Sequence, residues 1–313
     1  MHEWTILISD GLDESGQSLL RAAARVEERA GITPAELLEA VRGCDALIVR
    51  SRSRVTAEVL AASPRLRVVG RAGVGVDNID LEAAVERGVV VVNSPQATTQ
   101  AVAEHALGLM LALARGIPRA DAAMKAGQWI KKELEGIELS GKTLGVVGVG
   151  NIGAAVARRA SALGMAVIGY DPLLPREAIQ QRGAEPVTLN ELYARADFIS
   201  LHLPLTAETR GMLSQQVFER MKPGARLVCT ARGGLIDEEA LLVALETGRV
   251  AGAALDVFAQ EPPGATRLVA HPQVIATPHV AAQTVEAQKR AAVDIAQEVL
   301  AALRGEPLRW RVA

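Results

Sequence analysis

Short, continuous runs of Val, Ile and Leu alternate along the chain with longer segments rich in Ala, Leu, Glu and Arg. The apolar runs fall at 5–9, 46–49, 66–69 and 89–92, then at 143–149, 166–170, 198–203, 226–230, 252–257 and 274–277. They are too short for helices and apolar throughout rather than alternating, which is the pattern of strands covered on both faces in a parallel sheet. The segments between them read as helices, so the expected class is α/β built from βαβ units. The runs form two groups, separated by a helix expected over 99–125. Thr98 or Thr99 stands at its start, with Val102, Ala106, Leu109, Met110 and Leu113 at helical spacing. A last helix, about 284–304, follows the second group and is expected to pack back on the first. The pattern therefore predicts two Rossmann-like, doubly wound parallel-sheet domains.

Length agrees with that division, since 313 residues suffice for two domains. Apolar residues make up 49% of the chain, enough for a substantial core, while the net charge is only −2. No strong field draws such a chain to nucleic acid or an acidic membrane. Aromatics at 3% offer no stacking platform for single-stranded bases. Cys44 and Cys229 lie inside apolar runs and read as small buried side chains rather than a disulfide or metal site, which suits a reducing cytoplasm. The opening MHEWTILISD has no basic n-region, so no signal peptide is expected. No apolar stretch reaches the ~18–20 residues that span a bilayer.

The sharpest local chemistry is Gly148-Val149-Gly150-Asn151-Ile152-Gly153. It follows the run TLGVV, opens the helical segment AAVARRASALG, and precedes a run, AVIGY, that ends at Tyr170 beside Asp171, 18 residues beyond Gly153. In that setting G-x-G-x-x-G is the dinucleotide fingerprint. Gly148 allows the tight turn, Gly150 lets bare backbone approach a pyrophosphate, and Gly153 lets helix and strand pack closely. The helix N-terminus offers free N–H groups and a positive dipole end. Asp171 accepts hydrogen bonds from ribose hydroxyls and repels a 2′-phosphate, so NAD is favoured over NADP.

Chemistry on a 2-hydroxy acid requires a proton acceptor, a cation for the carboxylate and a group that orients the acceptor. In open α/β sheets these belong at the C-terminal ends of strands. Three such ends carry suitable residues: Arg232 after RLVCT, Glu261 after AALDVF and His279 after VIATP. Guanidinium binds carboxylate through paired N–H bonds. His279 suits proton acceptance near neutrality, and Glu261 suits the other imidazole N–H, raising the ring's basicity. Among the other histidines, His202 ends the FISLHLP run and is the alternative acceptor. His105 reads as a packed or capping residue, His271 as a loop residue, and His2 is terminal. In the first group, Arg50, Arg52 and Arg54 alternate after ALIV and, if extended, form a cationic ridge. Arg71 leads into a second glycine-rich loop able to present N–H groups to an anion. Two cationic strand ends facing a cleft between the domains suit a substrate with a second anionic group.

Together these residues resemble the D-2-hydroxyacid dehydrogenases, most closely their phosphoglycerate-oxidising branch. The match runs along nearly the whole chain, through VRSRSRVT, VVGRAGVGVDNIDLEAA, VAEHALGLMLALAR, ELSGKTLGVVGVGNIG, GYDP, HLPLTAETRGM, MKPGARLVCTARGGLIDEEAL, AGAALDVFAQEPP and TPHVAAQTVEA. The resemblance implies a substrate domain of residues 1–95 plus 283–313 and an NAD-binding domain of residues 96–282. It implies catalytic roles for Arg232, Glu261 and His279. It implies that NAD lies against Gly148, Gly150, Asn151, Ile152, Gly153, Tyr170, Asp171, Pro172, His202, Leu203, Pro204, Thr230, Ala231, Asp256 and Ala281. Arg50, Ser51, Arg71, Gly73, Val74 and Gly75 would lie on the substrate side. The implied activity is NAD-dependent oxidation of 3-phospho-D-glycerate to 3-phosphohydroxypyruvate, towards serine, by a cytoplasmic homodimer or homotetramer. Alternatives are a sibling reductase of glyoxylate, hydroxypyruvate or another small 2-oxo acid, and a dinucleotide-sensing, corepressor-like binding protein. Two places depart from the family's usual residues. Val280-Ala281-Ala282-Gln283 follows His279 where a Gly-Ala or similar pair is usual, and Val74 stands where phosphoglycerate enzymes often have threonine. The chain stops after the last helix, so no C-terminal regulatory domain is expected.

Overall fold

Strands form where Val, Ile and Leu are covered on both faces, because successive side chains point to opposite sides of a sheet. The computed structural model describes residues 4–313, so His2 lies outside the described residues. The chain divides into two units, one comprising residues up to Thr98 together with Ala282–Ala313, the other Thr99–Ala281.

The first unit holds β1 (Thr5–Ile8), β2 (Arg25–Glu28), β3 (Ala46–Val49), β4 (Val68–Arg71) and β5 (Val90–Asn93) in the order β2-β1-β3-β4-β5, all parallel. Alternate residues feed two apolar layers. Leu7, Leu47, Val69 and Val91 enter one, and Ile6, Ile8, Ile48, Val68 and Val92 the other. The second layer is closed by the Val285–Arg304 helix through Ile295, Ala296 and Val299. That helix begins at the Thr284 cap and ends at Gly305, whose left-handed φ of 72° suits glycine. It lies so close to β4 that a side chain at Gly70 would meet Val299 Cγ2 at 2.6 Å.

The second unit holds β6 (Thr143–Val147), β7 (Ala166–Tyr170), β8 (Glu185–Pro186), β9 (Phe198–Leu201), β10 (Ala225–Cys229), β11 (Val250–Leu255) and β12 (Val274–Ala276). Their order is β12-β11-β10-β9-β6-β7-β8, again all parallel. Chain direction across the sheet reverses between β6 and β9. The C-terminal ends of strands at such a reversal are where open α/β sheets bind ligands.

Two strands escape the apolar-run pattern. β2 reads RVEE and β8 only Glu-Pro. Each is the outer strand of its sheet, where one edge faces water and charged residues are tolerated. The single helix expected over 99–125 is instead two, Thr99–Arg115 and Ile117–Lys125, broken at Gly116 with φ 61° and followed by Pro118 in the next helix's first turn. A left-handed residue cannot continue a right-handed helix, and proline supplies no N–H to bridge the break. Among the described residues, no helix is long and apolar enough to cross a membrane. Cys44 and Cys229 are buried free thiols, and burial pushes each up to about 11.

Candidate active site

The glycine turn leaves β6 at Gly148, whose φ of 91° favours glycine and whose N–H donates to the Tyr170 carbonyl (2.8 Å). A Cβ at Gly148 would meet the His202 carbonyl at 2.8 Å, and one at Gly153 would collide with the Gly148 carbonyl oxygen. The turn thus closes on its own backbone. Gly150 differs, since a Cβ there would meet nothing within 4 Å. It precedes the Asn151–Ala162 helix with no side chain capping the first turn. Asp171, just past β7, accepts from Val149 N (2.9 Å) and Leu173 N (3.0 Å), which ties the β7 end to the turn. At the end of β10 the Thr230 hydroxyl is buried without a hydrogen-bond partner.

A dinucleotide fits these features. The open side of Gly150 admits a pyrophosphate to bare N–H groups at a helix N-terminus, and Asp171 stands where ribose hydroxyls would be held. Pro172 follows Asp171, and Leu203 and Pro204 continue from His202. Gly153→Ala is expected to weaken NADH binding at least about tenfold, because the added methyl meets backbone rather than a movable side chain. A fluorescence titration with NADH reads this directly, and unchanged affinity would contradict the fit.

Arg232, Glu261 and His279 are carried on the ends of β10, β11 and β12. Past β10, Ala231 and Arg232 lead to Gly233, where a side chain would collide with the Phe258–Ala259 backbone. Glycine therefore lets the Arg232 turn press on the segment leading to Glu261. The Arg232 guanidinium donates from Nη1 to the Ala231 carbonyl (2.7 Å). Glu261 accepts from Phe258 N through Oε1 (3.1 Å) and faces His279 Nδ1 through Oε2 (2.8 Å). Both side chains of this pair remain 39% exposed, so the ring is reachable from outside. Burial alone would raise the Glu261 pKa. The His279 hydrogen bond and charge, the Phe258 N–H and Arg232 outweigh it and hold the carboxyl below its ordinary range. The carboxylate therefore persists at neutral pH, and the tether is lost only as pH falls through that depressed value.

His279 sits at φ 53°, a left-handed conformation uncommon outside glycine. Asp256 holds it there. His279 N donates to the Asp256 carbonyl (2.8 Å), and Val280 N and Ala281 N donate to Asp256 Oδ1 and Oδ2 (2.9 Å each). The Thr277 hydroxyl donates to Oδ1 (2.6 Å), and His105 Nε2 lies 3.2 Å from the same hydroxyl. Asp256 is fully buried. Burial raises its pKa, but the bonds from His105, Thr277, Val280 and Ala281 prevail and lower it. His202, the alternative acceptor, lies with Nε2 2.8 Å from Ser200 Oγ, and burial pushes it down to about 4. A base that weak accepts a hydroxyl proton poorly near neutrality. His271 Nδ1 instead accepts from Gln273 N (3.2 Å).

In the first unit the three arginines do not form an extended ridge, because residues 51–53 bend. Arg50 Nη2 donates to Gln283 Oε1 (3.3 Å), whereas Arg52 reaches the Ile32 carbonyl (3.4 Å); Ser51 is exposed between them. Arg71 ends β4 and donates to the Ala72 carbonyl (3.2 Å). Gly73, at φ 144°, leaves room for that guanidinium, which a side chain there would hit. Asn93 Nδ2 donates to the Val74 carbonyl (2.7 Å) and steadies the loop that continues through Gly75.

Residues 107–281 match the NAD-binding domain of the D-isomer-specific 2-hydroxyacid dehydrogenases. The chain is 50% identical over 302 residues to D-3-phosphoglycerate dehydrogenase of Methanocaldococcus jannaschii, covering 96% of this chain and 58% of that one. It spans about half the length of the curated relatives it matches, 49% to 58% in the first four. Among solved structures it resembles a glyoxylate reductase from Paecilomyes thermophila (TM-score 0.92, 32% identity, covering 100% of this chain and 99% of that one). It also resembles D-lactate dehydrogenase from Aquifex aeolicus complexed with NAD and lactic acid (TM-score 0.85, 30% identity, covering 96% of each). With the glycine turn, Asp171 and the matched domain in agreement, the cofactor is NAD, and the chain belongs to the D-isomer-specific 2-hydroxyacid dehydrogenase family.

Proposed function

We propose that this chain oxidises 3-phospho-D-glycerate to 3-phosphohydroxypyruvate. The observation carrying the chemistry is the 2.8 Å bond between Glu261 and His279 Nδ1. An ionised Glu261 only accepts, so Nδ1 bears the proton and Nε2 keeps its lone pair. His279 Nε2 takes the C2 hydroxyl proton as the C2–O bond becomes a carbonyl. Arg232 binds the carboxylate and draws electron density from the C2 oxygen. Glu261 stabilises the imidazolium that results. NAD, when bound, accepts the C2 hydrogen with its electron pair. Arg50 and Arg71 are assigned to the phosphate. The substrate choice is supported by the phosphoglycerate dehydrogenase relatives at 50% and 47% identity.

The test is NADH formation from 3-phosphoglycerate, D-glycerate and D-lactate, with NAD and NADP in parallel. A kcat/KM at least about tenfold higher for the phosphorylated acid with NAD supports the reading. A second reading, reduction of glyoxylate or hydroxypyruvate, is favoured by the likeness to the fungal glyoxylate reductase. It prevails if those acids are reduced well while 3-phosphoglycerate is left untouched. Self-association belongs to the same proposal, since Ile117, Met124 and Trp129 expose apolar side chains on the second unit. Sedimentation measures it. Two free buried thiols suit a reducing, cytoplasmic setting.

A further inference from the structure

Sheet order in the first unit reverses between β1 and β3. The crevice beyond the C-terminal ends of those two strands is where a sheet of this order takes a ligand. Asp10 lies just past β1 and Arg50 just past β3. The Asp10 side chain is only 3% exposed. Its Oδ2 accepts from both Arg50 N (2.8 Å) and Ser53 N (3.0 Å), and its Oδ1 from Ser53 Oγ (2.5 Å). Asn78 supplies the opposite polarity. Its Nδ2 donates to the Arg50 carbonyl (2.9 Å) and to the Ser53 carbonyl (2.6 Å). The peptide groups at both ends of the 50–53 bend are thus held by two side chains from distant parts of the chain. Gln283 then engages the Arg50 guanidinium itself.

A solvated arginine needs none of this. The buried Asp10 carboxylate, which also lies 3.7 Å from Arg52 Nε, and the half-buried Asn78 amide together fix the direction in which the bend's first side chain leaves the backbone. Preorganising a cation in this way removes the ordering cost of binding an anion. We propose that Asp10 and Asn78 are positioning residues for Arg50, and that Gln283 steers its guanidinium, so that the bend is a preformed seat for the substrate's phosphate. This rests on the phosphoglycerate reading. Asp10 and Asn78 act through Arg50 and touch no reacting atom.

The experiment uses the full chain and two variants. Asn78→Asp keeps size and shape but presents acceptors to two carbonyls, and Gln283→Ala removes an exposed side chain that folding does not need. KM and kcat are measured for 3-phosphoglycerate and for D-glycerate, which has the same carbon skeleton without the phosphate. NADH affinity and melting temperature are recorded alongside. Asn78→Asp is expected to raise KM for 3-phosphoglycerate about tenfold, with kcat within about threefold of wild type. Gln283→Ala is expected to raise it about threefold. KM for D-glycerate and NADH affinity should stay within about twofold of wild type in both. Equal rises for both acids, or none in Gln283→Ala, would overturn the positioning role, and if Asn78→Asp does not fold, Gln283→Ala decides alone. A wild-type enzyme with no preference for the phosphorylated acid would instead overturn the substrate reading. A preference retained in both variants removes only the present inference.

Discussion

Replacing His279 by asparagine should lower turnover by about 10²- to 10⁴-fold, the usual share of a positioned general base. Asparagine is the informative substitution because the position is left-handed, with φ 53°, and asparagine tolerates that conformation better than most residues. Its amide takes no proton, so the chemistry is removed while the backbone is retained. His279→Ala should lose as much activity and melt lower, since alanine at this φ costs about 1 kcal/mol more. NADH affinity should change little in either. Stopped-flow or steady-state NADH formation measures the loss, and near-wild-type turnover in the asparagine variant removes His279 from proton transfer.

Asp256→Ala should destabilise the second unit by about 3 kcal/mol, lowering its melting temperature by roughly 10 °C. The substitution removes a fully buried carboxylate and strips the Val280 and Ala281 N–H groups and the Thr277 hydroxyl of their acceptor. Turnover should fall as well, because the carboxylate bonds to Val280 N, Ala281 N and Thr277 are lost and the His279 turn keeps only its main-chain bonds and its bond to Glu261. The pH dependence has a definite sign. The folded pKa of Asp256 lies below its ordinary value of 3.8, so its contribution is fully present above that pH and is lost as pH falls through the lowered value. The stability gap between wild type and Asp256→Asn should therefore narrow in strong acid. Calorimetry across pH follows it, and a gap that widened on acidification would contradict an ionised Asp256.

The buried strands were legible in the sequence because burial on both faces leaves an unbroken apolar run. β2 and β8 were not, since an outer strand needs no such run. The break at Gly116 was hidden because apolar spacing continues across it while the backbone turns. In the candidate site, the roles of Gly148 and Gly153 could be read because close backbone contacts demand glycine in a fixed spacing. The Glu261–His279 bond was foreseeable from neighbouring strand ends. The holding of the 50–53 bend by Asp10 and Asn78, and of the His279 turn by the Asp256 side chain, left no such mark. A side chain that bonds the backbone of a segment tens of residues away imposes no periodicity. The only available signal was an acid just past a Val/Ile/Leu strand, repeated at Asp10, Asp171 and Asp256.

The Val285–Arg304 helix, which completes an apolar layer of the unit begun near the N-terminus, has a consequence for biosynthesis. A nascent chain exposes the face formed by Ile6, Ile8, Ile48 and Val68 until the Val285–Arg304 helix has also emerged. The inserted stretch has all its strands by Ala276, before that helix is made, and can settle first. The strands of the first unit are therefore made before the second unit's sheet and covered after it, which leaves their apolar face open to mispairing during translation.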